Sequence, residues 1–557
     1  MIEDLWYKNA IVYCLDVETF QDGNGDGVGD FRGLKRRLDY LAGLGVTCVW
    51  LLPFYPTPNR DNGYDITDFY GVDPRLGDLG DFVAFTRQAK LHGIRVIVDL
   101  VVNHTSDRHP WFQEARRDPK SRYRDYYVWS KKKPKDAHKG MVFPGVQHTT
   151  WTYDEKAGEY YFHRFYEFQP DLNVANPAVR EEIFKIMGYW LELGVSGFRV
   201  DAVPFVVELK GVEHDIPDPY GLLDQMREFL SWRSGDAILL AEANVTMDEV
   251  MEFFGKKAER MQLVLNFQAN QHLFGALATG DARPLGKALR SSPRLPRAAQ
   301  WANFLRNHDE LDLGRLPKDI QKKVFEKFGP EPNMQVYDRG VRRRLAGMLE
   351  GDRRKLQLCY SMMFGLPGTP VLWYGEEIGM GELLALKERQ SVRTPMQWSD
   401  ELHGGFTQGG EKPVKPLVEK GVFSYERVNV ASQRLDPESL LNWMERLIRL
   451  RKECPEIGRG KWTVLPTRHK SVLAIRHDWR ENSIITLFNL AEKPTSLKLK
   501  TVEDPKQVLP LMNVLTGDTC LPDEDGTHAL TLEAYGYQWY RLGRRDSMQQ
   551  STEDPEA

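Results

Sequence analysis

Residues 93–104 read GIRVIVDLVVNH, and this stretch decides the fold. Its glycine ends a helix that we expect to begin at Asp81, because glycine adopts the left-handed conformation that closes a helix. The apolar run from Val96 to Val102 then predicts a strand buried on both faces, as in a parallel sheet covered by helices. Asn103 and His104 follow the strand directly. The chain therefore contains a helix-then-strand unit that ends in polar side chains.

Similar buried runs recur along the chain, separated by helix-like segments, and there are eight of them. They are Ile11 to Val17, Cys48 to Phe54, Val96 to Val102, Phe198 to Val203, Ile238 to Ala243, Leu263 to Phe267, Ala302 to Leu305 and Val371 to Tyr374. Eight buried strands that alternate with helices predict an α/β fold, a closed (β/α)8 TIM barrel. In such a barrel the active site forms at the carboxyl ends of the strands.

Two connections between strands are much longer than the usual few residues, which indicates insertions. We expect the catalytic barrel at 1–103 and 174–458, an inserted subdomain at 104–173 after strand 3, and a helical insertion at 310–367 between strands 7 and 8. Short runs split by turn-forming residues predict a C-terminal antiparallel β-sandwich domain at 459–545. The polar, acidic residues 546–557 are expected to form a disordered tail.

The composition limits the classes of partner. The 557 residues carry a formal net charge of -4 with both signs mixed along the chain, which argues against nucleic acid and membranes as partners. We therefore expect a small neutral substrate; the sequence does not indicate an oligomeric state. The amino terminus has no signal-peptide pattern, and the five scattered cysteines lack disulfide or zinc spacing. A cytoplasmic protein is expected.

Three acidic residues end neighbouring or nearby strands. Asp201 lies at the end of strand 4, Glu242 at the end of strand 5 and Asp309 just after strand 7. A single acid at a strand end is more often part of a structural ion pair, but three converging acids favour glycosidic chemistry. A retaining enzyme needs a nucleophile and a proton donor about 5 Å apart, a separation that adjacent strands supply. Arg199 lies on the same side of strand 4 as Asp201, and we expect it to keep Asp201 ionised.

Four short segments carry a resemblance to a known family. Residues 99–104, 197–202, Glu242 in its Ala-Glu-Ala setting and residues 307–309 resemble the four signatures of the α-amylase family of glycoside hydrolases. Gln169 to Asn173 and Arg393 to Trp398 resemble motifs of the family's oligo-1,6-glucosidase and trehalose-synthase branch. The resemblance covers nearly the whole chain.

The resemblance implies a role for each matching residue. Asp201 would be the nucleophile, Glu242 the acid/base and Asp309 the stabiliser of the transition state. The pocket for the glucosyl unit would be formed by Asp61, Tyr64, His104, Arg199, His308 and Arg393, with Tyr64 stacked on the sugar face. Without the resemblance, residues 61–64 indicate only a turn.

A further loop predicts a cation site. Residues 22–30, DGNGDGVGD, place oxygen-bearing side chains at every second position with glycines between them, a pattern that folds around a hard cation or forms an Asx-rich turn. The loop resembles the family's calcium loop, which implies a structural Ca²⁺ bound by Asp22, Asn24, Asp26, the carbonyl of Val28 and Asp30. The trehalose-synthase branch also suggests a second cation at Asn103, Asp171 and Glu208.

Within the family, the chain most resembles the trehalose-synthase branch, whose members interconvert maltose and trehalose by intramolecular glucosyl transfer. Three departures bear on that likeness: Gly140 stands where a pocket-sealing Arg is usual, Glu18 where an Arg is usual, and residues 266–268 read NFQ where HFP is typical. We therefore expect a trehalose synthase with some hydrolysis. An α-glucosidase or transglucosidase acting on short α-glucosides is the alternative, and a non-catalytic sugar-binding or scaffold protein is a remote one.

Overall fold

Eight parallel strands form a closed barrel in the computed structural model, which describes residues 4–208, 210, 218–502 and 508–543. The strands are β1 (Val12–Leu15), β2 (Cys48–Leu51), β3 (Arg95–Leu100), β4 (Gly197–Val200), β5 (Ile238–Ala241), β6 (Leu263–Leu265), β7 (Gln300–Phe304) and β8 (Thr369–Trp373). Each pairs with its neighbours in sequence, and β1 also pairs with β8 through Val12 and Val371. The predicted (β/α)8 barrel is confirmed.

The strands are buried on both faces, as their apolar sequences predict. Every residue of β1, β2, β4 and β5 is buried, because the inner face fills the barrel and the outer face meets the helices. Gly197 opens β4 in close contact with the next strand. A Cβ at this position would lie 2.4 Å from the Ile238 carbonyl oxygen, so a larger residue would push β4 away from β5.

Capping side chains mark where helices around the barrel begin. The longest, Pro177–Glu192, is capped by the Asn176 side chain and buries Val179, Ile183, Ile186 and Trp190 on one face, each contributing roughly 1.5–3 kcal/mol of burial. The helix before β3 begins at Leu79, earlier than predicted, because Asp78 accepts the Asp81 N–H. The main barrel helices are Phe31–Arg36, Leu38–Leu44, Leu79–Leu91, Pro177–Glu192, Gly221–Arg233, Met247–Phe254, Phe267–Thr279, Arg283–Ser291, Arg353–Gly365 and Leu440–Lys452.

Short helices complete the connections around the barrel. They are Trp6–Asn9, Val17–Phe20, Val203–Val206, Glu388–Val392, Leu402–Gly405, Val430–Leu435 and Pro455–Arg459. Among the described residues no helix has the length and apolar character that a membrane crossing requires.

Two insertions stand above the carboxyl ends of the strands. The insertion after β3 contains the helices Pro110–Arg117 and Arg124–Tyr126 and an antiparallel sheet of Trp129–Ser130, Trp151–Asp154 and Glu159–Phe162. The insertion after β7 contains the helices Lys318–Phe328, Pro332–Met334 and Leu345–Met348 and a small sheet of Leu311–Asp312, Gln335–Val336 and Gly340–Val341. The second insertion is therefore mixed rather than purely helical, since residues 340–341 pair as a strand before the helix begins.

The carboxyl-terminal region is antiparallel, as expected. Its larger sheet contains Lys461–Leu465, Val472–Trp479, Asn482–Asn489, Leu511–Asn513, Thr519–Cys520 and Tyr537–Leu542, and its smaller one pairs Thr495–Lys500 with Thr527–Leu532. Trp539 joins the larger sheet to the barrel by donating to Ser361 Oγ at 3.0 Å. The tail predicted at 546–557 lies outside the described residues.

Candidate active site

Asp201 and Glu242 leave the barrel at the ends of neighbouring strands, β4 and β5, and share one guanidinium. Arg199 Nη1 donates to Asp201 Oδ1 at 2.7 Å, and Arg199 Nη2 lies 2.7 Å from Glu242 Oε2. The arginine itself is fully buried. Because one planar group contacts both, the two carboxyls lie close together, as a retaining displacement at a sugar requires.

The backbone turns sharply just after Asp201. Ala202 has φ 46°, in the left-handed region that costs a residue with a Cβ roughly 1–2 kcal/mol. Its N–H donates to Glu242 Oε2 at 3.4 Å. The strained turn therefore brings the β4 end against the carboxyl that follows β5, and strain of this kind concentrates at functional sites.

Asp99 supports this pair from β3. Its carboxylate accepts from Arg199 Nη1 at 3.0 Å, from Trp50 Nε1 at 2.6 Å and from the Tyr64 hydroxyl at 2.7 Å. Burial raises the pKa of Asp99 to about 6, although Arg199 opposes the rise. Arg199 is thus held in place by carboxylates on three successive strands.

Burial and the charge of Arg199 act in opposite directions on the pKa of Asp201. Burial raises the pKa of Asp201 well above its usual value, and the contact with Arg199 lowers it only in part. Arg199 is divided among three carboxyls, so its charge is not available to one of them alone. Asp201 consequently loses its proton at a higher pH than an ordinary aspartate.

Asp309 receives two arginines. Arg389 Nη1 and Arg393 Nη2 both contact Asp309 Oδ1, at 2.7 and 2.8 Å. Although burial acts to raise it, these cations hold the pKa of Asp309 well below its usual range. Arg389 also reaches Asp61 Oδ1 at 3.1 Å, and Gln169 donates to the other Asp61 oxygen at 2.9 Å. The two carboxylates are therefore linked through one guanidinium.

The histidines beside these carboxylates are uncharged near neutral pH. Burial lowers the pKa of His104 to about 4 and the pKa of His308 well below its usual value. Tyr64 lies between Asp99 and His308. Nε2 of His308 is 2.9 Å from the Tyr64 hydroxyl, and the Tyr64 and His308 rings are nearly parallel. His104 and His308 are therefore neutral hydrogen-bonding groups beside the carboxyls.

The carboxyls face a pocket of about 540 Å³, a size that suits a disaccharide-scale ligand. Six of the nine residues predicted for catalysis and sugar binding line it, while Arg199, His308 and Arg393 lie behind the wall and contact those that do. The six are Asp61, Tyr64, His104, Asp201, Glu242 and Asp309. Two aromatic side chains of the β3 insertion, Phe143 and Phe165, also line the pocket.

Two residues of this site were missed by the sequence reasoning. Arg389 bridges Asp61 and Asp309, and its position four residues before Arg393 in the same segment is the signal that could have indicated it. Lys415 supports the loop of Asp61 and Tyr64 from behind: its ammonium contacts Asn62 Oδ1 at 2.5 Å and Glu18 Oε2 at 3.1 Å. Nothing local in the sequence marks Lys415.

The place expected for a second cation holds a lysine. The ammonium of Lys210 contacts Asp171 Oδ2 at 2.8 Å, Asn103 Oδ1 at 2.8 Å, the Asn103 carbonyl at 3.1 Å and the Leu172 carbonyl at 3.3 Å. Glu208, the third expected ligand, binds Arg164 instead, at 2.5 Å. We correct the expectation accordingly: an ammonium with four oxygen neighbours takes the position assigned to the metal, because it satisfies the same oxygens.

The Gly140 and Glu18 departures are explained by their neighbours. Gly140 has φ 72°, and a Cβ there would lie 2.1 Å from Arg164 Nη1, so a side chain at this position would strain the backbone and displace the Arg164 guanidinium. Glu18 is buried and paired with Arg75 at 2.6 Å as well as with Lys415. Both positions are therefore filled by partners that come from elsewhere in the chain.

The chemistry of the 22–30 loop fits calcium, although its side chains are not gathered as a metal cluster. Asp22 accepts three backbone N–H groups, Asp30 accepts two, and Asn24 and Asp26 each accept one from within the loop. Burial and the neighbouring charges of Asp22 and Asp26 raise the pKa of Asp30, and a cation would relieve that repulsion. In the part of the chain that the structure describes, no three His, Cys, Asp or Glu side chains are close enough together to hold a metal ion.

Comparisons with known proteins find similar sequences along nearly the whole chain. Residues 16–460 match the profile described as "Alpha amylase, catalytic domain". A trehalose synthase of Thermus thermophilus is 39% identical over 97% of this chain, and a trehalose synthase/amylase of Mycolicibacterium smegmatis is 37% identical over 97%. The chain spans 56% of the length of the former and 93% of the latter.

A glucosidase and an α-amylase are similar to the chain at lower sequence identity. An oligo-1,6-glucosidase of Halalkalibacterium halodurans is 30% identical over 88% of this chain and 92% of its own length. The crystal structure of an α-amylase from H. orenii superposes with a TM-score of 0.76 at 27% identity, covering 96% of this chain and all of that one.

Proposed function

The chain belongs to the α-amylase family, and from that premise we propose that it is a retaining enzyme that interconverts maltose and trehalose by intramolecular glucosyl transfer, with some hydrolysis. The observation that carries the proposal is the sharing of Arg199 by Asp201 and Glu242 at the base of a pocket sized for a disaccharide. Relatives that are trehalose synthases resemble the chain more closely than the glucosidase does, which supports this choice.

In the first step Asp201 attacks the anomeric carbon of the substrate glucosyl unit. The bond from that carbon to the glycosidic oxygen breaks, and Glu242 gives its proton to the oxygen, so glucose is released within the pocket and a β-glucosyl ester forms. In the second step the anomeric hydroxyl of that glucose attacks the same carbon and gives its proton to Glu242, while the ester bond breaks and Asp201 leaves as a carboxylate. Two inversions leave an α bond, now to C1 of the partner glucose.

The remaining residues hold the glucosyl unit. Asp61 and Asp309 are both held by Arg389, so they can accept hydrogen bonds from sugar hydroxyls without moving. His104 and His308, being neutral, add no charge that would oppose the positive charge developing on the ring. Tyr64 presents its ring beside His308 at the pocket wall.

Isomerisation further requires that water reach the ester more slowly than the retained glucose does. Residues of both insertions, including Phe143 and Arg339, line the mouth of the pocket. An α-glucosidase or transglucosidase would use the same first step, and the small residue at Gly140 favours some of that activity. The presence of all three carboxyls argues against a non-catalytic protein.

We also propose that the 22–30 loop binds a structural Ca²⁺, supported by its all-oxygen donor set. The protein would reside in the cytoplasm, supported by five cysteines that remain unpaired in the structure.

The test is the product mixture from unlabelled maltose with isotope-labelled glucose added. We expect trehalose to accumulate with little label, because the transferred glucosyl unit meets the glucose just released. A minor amount of free glucose should appear alongside it. If maltose gives only glucose, or if label enters the disaccharides freely, the enzyme is instead an α-glucosidase or a transglucosidase.

A further inference from the structure

A tight turn of the β7 insertion reaches the mouth of the pocket. It runs from Val336 to Arg339 and joins two short antiparallel strands. Its central residues, Tyr337 and Asp338, both have φ 55°, a conformation that suits hairpins and that residues other than glycine and asparagine adopt at a cost. This turn brings Tyr337 and Arg339 into contact with the β3 insertion.

Arg339 joins the two insertions with one guanidinium. Its Nη1 donates to the Val142 carbonyl at 2.8 Å, and Val142 belongs to the β3 insertion. Its Nε donates to Asp312 Oδ2 at 2.8 Å and its Nη2 to Glu310 Oε1 at 3.4 Å, both in the β7 insertion. The flat, fork-shaped group satisfies acceptors on both sides at once, which a lysine ammonium does less well.

Tyr337 makes a second connection beside the first. Its ring packs on Phe143 with centroids 4.9 Å apart, and its hydroxyl donates to Glu388 Oε2 at 2.6 Å. Tyr166 of the β3 insertion donates to the same Glu388 oxygen at 3.0 Å. The two insertions are therefore joined by the aromatic contact between Tyr337 and Phe143 and by the hydrogen bond from Arg339 to the Val142 carbonyl.

The geometry points to Arg339 as the residue that keeps the two insertions closed over the pocket and thereby sets how much of the glucosyl-enzyme is lost to water. The inference rests on the proposed function. Arg339 lines the pocket but has no hydrogen bond to Asp201, Glu242 or Asp309 in the described part of the chain, so it is a positioning residue rather than a catalytic one. Arg164 lies beside Gly140 within the β3 insertion itself, whereas Arg339 reaches that insertion from the β7 insertion.

The test compares Arg339→Ala with the wild type in the ratio of free glucose to trehalose formed from maltose. Loss of a charge-assisted hydrogen bond shifts an open–closed equilibrium by roughly tenfold, so we expect the ratio to rise by about that factor. The rate of maltose consumption should stay within about threefold, because the groups that cleave the bond are untouched. Lys327→Ala is the matched control, as it removes a cation of the same insertion that binds the Leu277 carbonyl of the barrel.

Two further variants keep the inference testable if Arg339→Ala does not fold. Arg339→Lys should raise the ratio less than the alanine variant. Asp312→Asn should raise it as well, and adding Asp312→Asn to Arg339→Ala should cause no further increase, because both changes remove the same connection. An unchanged ratio in a folded Arg339 variant, or fully additive effects, overturns the inference while the proposed function stands. A wild type that makes no trehalose overturns the proposed function and this inference with it.

Discussion

Replacing Lys210 with methionine should lower the free energy of unfolding by roughly 3–5 kcal/mol, the usual cost of leaving one partner of a buried ion pair alone. Lys210 and Asp171 are almost completely shielded from solvent, at 1% and 0% exposure of their side chains, and their charged atoms are 2.8 Å apart. Methionine matches the length and flexibility of the lysine stem, so the cavity contribution is small. The loss therefore measures the cost of leaving the Asp171 carboxylate without its lysine, since its hydrogen bonds from Asn103 Nδ2 and the Arg164 N–H remain.

The assay is urea unfolding followed by tryptophan fluorescence, with Lys210→Met/Asp171→Asn as the control. Removing both charges should recover most of the lost stability, because the asparagine no longer requires a cation, and a residual loss of about 1 kcal/mol should remain from the missing hydrogen bonds. A loss below about 1 kcal/mol in the single variant would refute the reasoning, as would a double variant no more stable than the single one.

Further expectations concern chemistry, cation binding and positioning. Asp201→Asn and Glu242→Gln should each fold normally and lose at least about a thousandfold in turnover, and azide should partly rescue Glu242→Ala by forming an α-glucosyl azide; a β product would rule out double displacement. Because burial raises the pKa of Asp201, and the nucleophile must be ionised, kcat/KM should fall with decreasing pH at values above the ordinary aspartate pKa of about 3.9; an acid limb at or below that pH contradicts the assignment. Chelation of calcium and Asp26→Ala should each lower the melting temperature without changing the ratio of products, and a melt unaffected by chelation would remove the calcium proposal. Lys415→Met should raise KM more than it lowers kcat, with Lys415→Arg restoring part of the loss, since Lys415 holds Asn62 next to Asp61; equal effects of both variants would indicate a general loss of structure.

The barrel and the assembly of its carboxyls could be predicted from the sequence because each depends on local signals. A buried run followed by polar residues marks a strand and its functional end in the same short segment, as in residues 96–104. The register of a closed barrel then brings Asp201, Glu242 and Asp309 together without further information. The small strands at Leu311–Asp312 and Gly340–Val341 were missed because two-residue strands carry no periodicity.

The partners that complete the site could not be predicted, since they come from distant parts of the chain. Lys210 sits beside Asn103, Arg339 beside Val142 and Lys415 beside Asn62, pairs separated by 107, 197 and 353 residues. Each is a long cation on an irregular segment, where neither helical nor strand spacing fixes the direction of a side chain. The raised pKa of Asp201 could not be predicted either, because the division of Arg199 among three carboxyls becomes visible only when the strands are adjacent.

The pairing of β1 with β8 has a consequence for how the protein is made. Val12 finds its second neighbour only when Val371 has been synthesised, and at roughly 5–20 residues per second the ribosome needs roughly 20–70 s to add the chain between them. Throughout that interval one side of an apolar strand has no partner, and exposed strand edges of this kind promote aggregation. We expect the yield of active enzyme in a producing cell to depend on how well chaperones cover that nascent edge, more than on the stability of the finished barrel.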